Sequence, residues 1–454
     1  MIDFQRFRSQ GLVLAIIIVM ILMATASFRF WSDLPNQLGV DFYQFWGIAK
    51  SQQSSGFRLG SPYRNPAGYQ QQLLKLAAVE GDAELVAAVG KREQPDLTGS
   101  PLLYYLLGML PQKYTVALWS FRTAQFVAFA LAAFLLVRRL TSGPVSALTF
   151  AVALAAAFDP LLLDMAVGNL SSFQLLGLVL VAGLLEQGGA SNVRIGLAQA
   201  LLVTVVLVLL TLVKPSIAAA TALAGLCLYR KTERRVRTII AVTAGAVCAL
   251  LYALPCMLFN SASVWADWWS GTFSSVDRLA YAGGDGNYSG VGLLSSRLGI
   301  SIAAAMALVG TFLLVSLLWP IVSVCATTSK AGRDYLAVIR NGLVDPYLCI
   351  AFGVVVSFAL SPLVWSHYQV LGIIPALWLC WNQGTRNRLP RIAGWLALLL
   401  MADLPRRIYL LAGVPWILIE ACHGFSWLLL WVGMITVCHL QERERIKCVA
   451  VRSE

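Results

Sequence analysis

The stretch NQLGVDFYQFWGIAKSQ, Asn36 to Gln52, places a lone acid, Asp41, between a hydrophobic span and an aromatic-rich segment. Behind Asp41, apolar residues fall at Phe42, Phe45, Trp46 and Ala49, the i, i+3, i+4, i+7 spacing of one helical face. Gln44, Lys50, Ser51 and Gln52 are the polar residues of the same segment. The pattern predicts a helix lying in a membrane interface, with its aromatic face toward acyl chains. Two roles stay open for Asp41. With Gln44 three residues later it matches a capping box, and as a carboxylate at headgroup height it is a candidate catalytic group. The two roles are compatible.

The rest of the chain supports the membrane setting. Of 454 residues, 58% are hydrophobic and 12% charged, against roughly 25% charged in soluble proteins. Apolar runs fit to cross a bilayer recur near 11–30, 115–137, 145–163, 170–186, 195–213, 216–229, 238–259, 299–322, 345–361, 366–382, 391–412 and 425–440. These predict an all-α polytopic membrane protein of about 12 transmembrane helices. The segment MIDFQRFRSQ followed by GLVLAIIIVMILMATA resembles a signal peptide, down to Ala24-Thr25-Ala26. Apolar and aromatic residues continue through Phe28 to Trp31, which favours an uncleaved first helix over residues 1–30.

Basic connectors orient the spans. They occur at Arg138-Arg139, Arg230 to Arg237, Lys330 to Arg340 and Arg386 to Arg391. Placing them in the cytoplasm also puts both termini there, with 441–454 as a cytoplasmic tail. The net charge of +12 then reflects this bias and attraction to anionic lipid, and nucleic acid is not expected as a partner. Two polar segments face the other side: an external loop at 31–114, and a second at 260–298 within the bundle of 115–440. Long loops on a rigid scaffold are where functional residues concentrate. In the first loop, AGYQQQLLKLAA (67–78) lines up Tyr69, Leu73, Leu76 and Ala77, and DAELVAAV (82–89) predicts a weaker helix. No inverted repeat of the kind common in transporters is visible.

Four further features bear on chemistry. Gly168, Asn169, Ser171 and Ser172 open the fourth span, where free N–H groups favour an anion, or where Asn169 or Ser171 caps the helix. Lys214 ends a span before Pro215, and either snorkels to headgroups or fixes a phosphate. Trp365, His367 and Tyr368 occupy a short outward connection, as part of an aromatic belt or as a site. The nine cysteines are scattered without CxxC, and the three histidines, His367, His423 and His439, lack ligand spacing. Asp82, Glu84, Glu93 and Asp96 read as solvated surface, and Asp267, Asp277 and Asp285 form no tight set. No metal and no cofactor are expected.

In order, VDFYQFWGIAK, SPYRNP, LTGSPLLYYLLGMLP, GNLSSFQLLGLVLVAG, LVKPS, GNYSGVGLLSSRLG and SPLVWSHYQVLGIIPALW resemble glycosyltransferase family 87, of the GT-C architecture. These elements cover most of the chain between 39 and 380. The resemblance implies inverting transfer of one sugar, mannose being the family's best-known case, from a polyprenyl-phosphate donor to a glycolipid or glycan hydroxyl. It makes Asp41 the general base. It links His367 to the donor phosphate, with Lys214 and Arg297 beside it, and sets Tyr43, Tyr63, Asn169, Asn287 and Trp365 along the substrate cavity. The implied setting is the bacterial inner membrane, with the site facing the periplasm. A lipid-linked sugar presents its anomeric carbon at headgroup height, which suits an acid at position 41. The competing reading is a flippase for lipid-linked sugars, which would move the donor without forming a covalent product.

Overall fold

The computed structural model describes residues 28, 31–141, 143–187, 195–272, 289–325, 345–381, 388–402 and 424–440. All regular elements among them are helical, with no β-strand. The first predicted span apart from Phe28, the Lys330–Arg340 connector, residues 403–412 and the 441–454 tail lie outside the described residues.

The first loop folds into four helices: α1 (Phe42–Ser54), α2 (Pro66–Glu80), α3 (Ala83–Val89) and α4 (Pro101–Leu107). Their starts are written locally. Asn65 and Ser100 each precede a proline and accept a backbone N–H, from Gly68 and Leu103. Asp82 caps α3 through the N–H groups of Glu84 and Leu85, and its other oxygen takes both the N–H and the hydroxyl of Thr115. It is therefore a buried joint between α3 and the helix Tyr114–Val137, which corrects its reading as solvated surface.

Helix α2 buries Tyr69, Leu73, Leu76 and Ala77, the stripe the sequence predicts. Helix α1 departs from expectation. Residues 42–52 are buried on every side, the polar ones included, so its aromatic face meets protein and not acyl chains. Internal partners make this possible. Lys50 Nζ donates to the Leu110 carbonyl at 2.9 Å, Gln52 Nε2 to Leu258 at 3.1 Å, and the Trp46 indole to Pro111 at 3.0 Å.

The bundle follows: α5 (Tyr114–Val137), α6 (Pro144–Ala157), α7 (Asp159–Val167), α8 (Ser171–Gln187), α9 (Leu197–Val213), α10 (Ala218–Lys231) and α11 (Arg234–Leu258). After α12 (264–272) come α13 (Gly290–Leu298), α14 (Ile302–Cys325), α15 (Pro346–Leu360), α16 (Ile373–Trp381), α17 (Leu389–Met401) and α18 (Gly424–Leu440). Among the described residues two helices, α5 and α11, are individually long and apolar enough to cross a membrane, and α6 with α7 makes a third if the bent pair counts as one span. The chain is a helical membrane protein with further, shorter apolar helices around these.

Two predicted spans are broken. The 145–163 span divides at Phe158, where α6 and α7 meet at 60°. Pro160 has no N–H for the carbonyl of Ala156, and the Trp31 indole donates to that oxygen instead, at 3.1 Å. The 366–382 span is a 3₁₀ stretch, Ser366–Gly372, leading into the nine-residue α16.

Helices α8, α10 and α15 pack together at the centre. Gly353 is what lets α15 approach α10, since a Cβ there would collide with the backbone of Ala220. At one end of the bundle Arg139 pairs with Glu186 and lies over the Tyr347 ring, and Lys231 donates to Leu185. At the other end lie the loop helices and the starts of α7's exit and α8. The 17 residues of α8 hold the two ends about 25 Å apart.

Candidate functional site

Asp41 sits where α1 meets the end of α7. Its N–H donates to the Val167 carbonyl at 2.8 Å. Gly168, in the left-handed region at φ 72°, ends α7 against Phe42, where a Cβ would leave no room. The Asp41 backbone is already helical (φ −89°, ψ −40°) and its side chain makes no capping bond. The capping box is thus not formed. Gln44 Nε2 donates to Val40 at 2.6 Å, and its oxygen accepts the N–H of Asp96.

The Asp41 carboxylate is turned toward Asn169, whose Nδ2 donates to Oδ2 at 2.8 Å. Asn169 Oδ1 accepts from Lys214 Nζ and from the Leu170 N–H. Because an ammonium only donates, the amide has one possible orientation. Asp41, Asn169 and Lys214 therefore form a fixed acid–amide–lysine chain. Burial raises the Asp41 carboxyl above its ordinary value of 3.8, while the Asn169 bond and the charges of Arg92 and Lys214 draw it down.

Asn169 owes its position to Asp164, which sequence reasoning missed. Asp164 accepts from the N–H groups of Ser171 and Ser172 and from the Ser172 hydroxyl, so it caps α8. The anion suited to this helix start is the protein's own carboxylate, and neither Asn169 nor Ser171 is the cap. Gln125, from α5, ties the carbonyls of Asp164 and Asn169 together at 3.0 and 2.7 Å.

Lys214 follows the last turn of α9, which Pro215 ends. Its ammonium points inward, against the snorkelling alternative, and lies 3.8 Å from the Tyr368 ring centroid. Burial lowers its pKa to about 8 against the opposing pull of Asp164 and Asp41. The strand-like exit of α9 is pinned by Ser100, whose hydroxyl donates to Val213 at 2.8 Å. His367 lies in the 3₁₀ stretch beside Tyr368, edge to face at 4.5 Å. It is buried, and its Nε2 has no hydrogen-bond partner among the described residues. Buried polar atoms without a partner are rare in folded proteins, which sets this nitrogen apart.

Asp41, Ser100, Asn169, Lys214, His367 and Tyr368 line one cavity of about 850 Å³. Asp41, Asn169, Lys214, Trp365 and His367, separated by up to 326 positions in sequence, are brought together there. Arg92, Asp96, Trp268 and Trp269 also line it, though the sequence carries no motif that marks them as site residues.

Other expected residues are not part of this group. Tyr43 is buried in the loop core, and among the described residues its hydroxyl has no partner. Tyr63 stands behind the wall, donating to the carbonyl of Gly99 at 2.6 Å. Arg297 faces a second, apolar cavity of about 640 Å³ with Phe312 and Trp427. The correction for Arg297 follows from α14: Ile302 and Met306 line the first cavity, while Leu308, Val309 and Phe312 line the second. Asn287 lies outside the described residues. Among the described residues, no three His, Cys, Asp or Glu side chains are grouped to hold a metal ion. No family model, curated protein or solved structure matches the chain.

Proposed function

We propose that the protein is an inverting glycosyltransferase that moves one sugar, a hexose and most simply mannose, from a polyprenyl phosphate to a hydroxyl of a glycolipid or glycan. The observation that carries this reading is the Asp41–Asn169–Lys214 chain with His367 in one cavity. It provides a base and a cationic, hydrogen-bonding phosphate seat within one residue's width of each other.

In the step proposed, Asp41 takes the proton as the acceptor oxygen bonds to the anomeric carbon. The bond from that carbon to the phosphate oxygen breaks, and the electron pair leaves with polyprenyl phosphate. Burial strengthens Asp41 as a base, and general-base help of this kind is worth roughly 10²–10⁴-fold. Lys214 and a ring N–H of His367 stabilise the charge growing on the phosphate, in a site where aromatic walls limit water. The phosphate is already a good leaving group, so no nucleotide-binding domain is needed.

The same reading takes the chain as a GT-C bundle of about twelve spans in a bacterial inner membrane, with basic connectors inside and the cavity outside. The placing of the described basic clusters and the cavity at opposite ends of the bundle supports that orientation. The deciding experiment is sugar transfer by purified protein in lipid, with labelled polyprenyl-phosphate sugars and glycolipid acceptors. A covalent product formed by wild type and lost in Asp41→Asn supports transfer. Movement of the donor between leaflets with no product would establish the flippase.

A further inference from the structure

The cavity holds a second cation whose place the proposed step leaves unused. Arg92 lines the same cavity as Asp41 and is tied to Gln44 of α1 by way of Asp96, whereas Lys214 is tied to Asp41 by way of Asn169. Its backbone is secured by Gln70, which donates to the Arg92 carbonyl at 3.0 Å. Its guanidinium pairs with Asp96 four residues on, and the side chains are 30% and 42% exposed. A pair so open to water contributes about 0–1 kcal/mol, so an incoming anion can replace Asp96 at little cost. The backbone of Asp96 would stay in place when its side chain is displaced, because its N–H is held by Gln44.

We propose that the acceptor carries an anionic group, a phosphate in the simplest case, close to its reacting hydroxyl, and that Arg92 binds it. The inference rests on the glycosyltransferase reading. In an inverting displacement, nucleophile and leaving group lie on opposite faces of the anomeric carbon. With the donor phosphate at Lys214 and His367, the acceptor enters from the side of Asp41 that faces Arg92, past Trp268 and Trp269. A planar guanidinium matches two phosphate oxygens at once. The field of Arg92 also reaches the base, since it is the larger of the two cationic influences on Asp41. Binding an anion there cancels that influence and leaves Asp41 a stronger base only when the acceptor is in place.

The test uses the full chain in lipid, with a polyprenyl-phosphate sugar that the wild type accepts. A neutral alkyl hexopyranoside is compared with its singly phosphorylated positional isomers. At least one isomer is expected to exceed the neutral glycoside in kcat/KM by about tenfold, the size of one charge-assisted contact. Arg92→Gln should bring that ratio toward one, and Asp96→Asn, which removes the competing carboxylate, should raise it. A pair with only a structural role would make the two variants behave alike. The proposal fails if wild type prefers no phosphorylated isomer, or if the preference survives Arg92→Gln. It also fails if Arg92→Gln raises the donor KM instead, which would assign Arg92 to the donor phosphate. If wild type transfers sugar to neither kind of acceptor, the glycosyltransferase reading itself has failed, which the donor and product assays distinguish.

Discussion

Helices α1 and α11 are built in opposite senses. In α1, Gln44, Lys50, Ser51 and Gln52 are enclosed by protein along with every aromatic side chain. In α11 only Pro255 and Leu258 are buried, while Val242, Leu250 and Tyr252 face outward. The difference follows from what surrounds each helix. Lipid tails are as apolar as leucine, so a spanning helix gains little by hiding its apolar surface in protein. A helix enclosed by protein is stabilised by that packing, with most of its polar atoms paired internally. Apolar side chains meet protein in α1 and are left exposed along α11. The candidate site forms beside α1, which supplies the acid, while the C-terminal ends of α7, α9 and α15 supply the rest.

The contrast can be broken by mutation, and the largest effect should come from the α1 side. Asp41→Asn keeps an oxygen to accept from Asn169 but removes the base. Single-turnover transfer should fall by about 10²–10⁴-fold with the thermal unfolding midpoint little changed. An equal rate in both proteins would remove Asp41 from the chemistry.

Next in size is the pH profile. The rate should rise with pH as Asp41 loses its proton, at a point above the ordinary carboxyl value of 3.8. It should decline again as pH passes about 8 and Lys214 loses its own. Lys214→Arg, whose charge persists above about pH 12, should abolish the upper decline even if kcat drops. An alkaline limb that stays put in that variant would assign it to another group.

Lys50→Ala tests α1 itself. It strands the Leu110 carbonyl inside the protein, at a cost of about 1–3 kcal/mol, read by denaturant unfolding in micelles. The matched change on the other helix is Val242→Ala at a position 68% exposed, where the shift should stay within about 0.5 kcal/mol. Equal losses at the two positions would mean that α1 and α11 are not differently surrounded.

Much of the bundle was legible from composition and local chemistry. The stripe on α2 followed from its period alone. The positions of Asp41, Lys214 and His367 at helix ends were also readable, because each interrupts an apolar pattern. The surroundings of α1 were not. An aromatic face with polar neighbours looks the same in sequence whether acyl chains or α2, α4 and α5 cover it. Asp164 was hidden for a related reason, since a cap seven residues ahead of the helix it serves depends on the intervening turn at Gly168. Arg92 and Asp96 sit among other charges in a polar loop, and only the fold distinguishes the pair that reaches the cavity.

Asn169 has a consequence of its own. An acid and a lysine left together in one cavity tend to close on each other, each cancelling the other's charge. The amide acts as a spacer that touches both and lets neither cross, since it offers hydrogen to one and oxygen to the other. The resting protein is thereby kept from collapsing into an inert ion pair, and both charges still face the chamber when a substrate arrives.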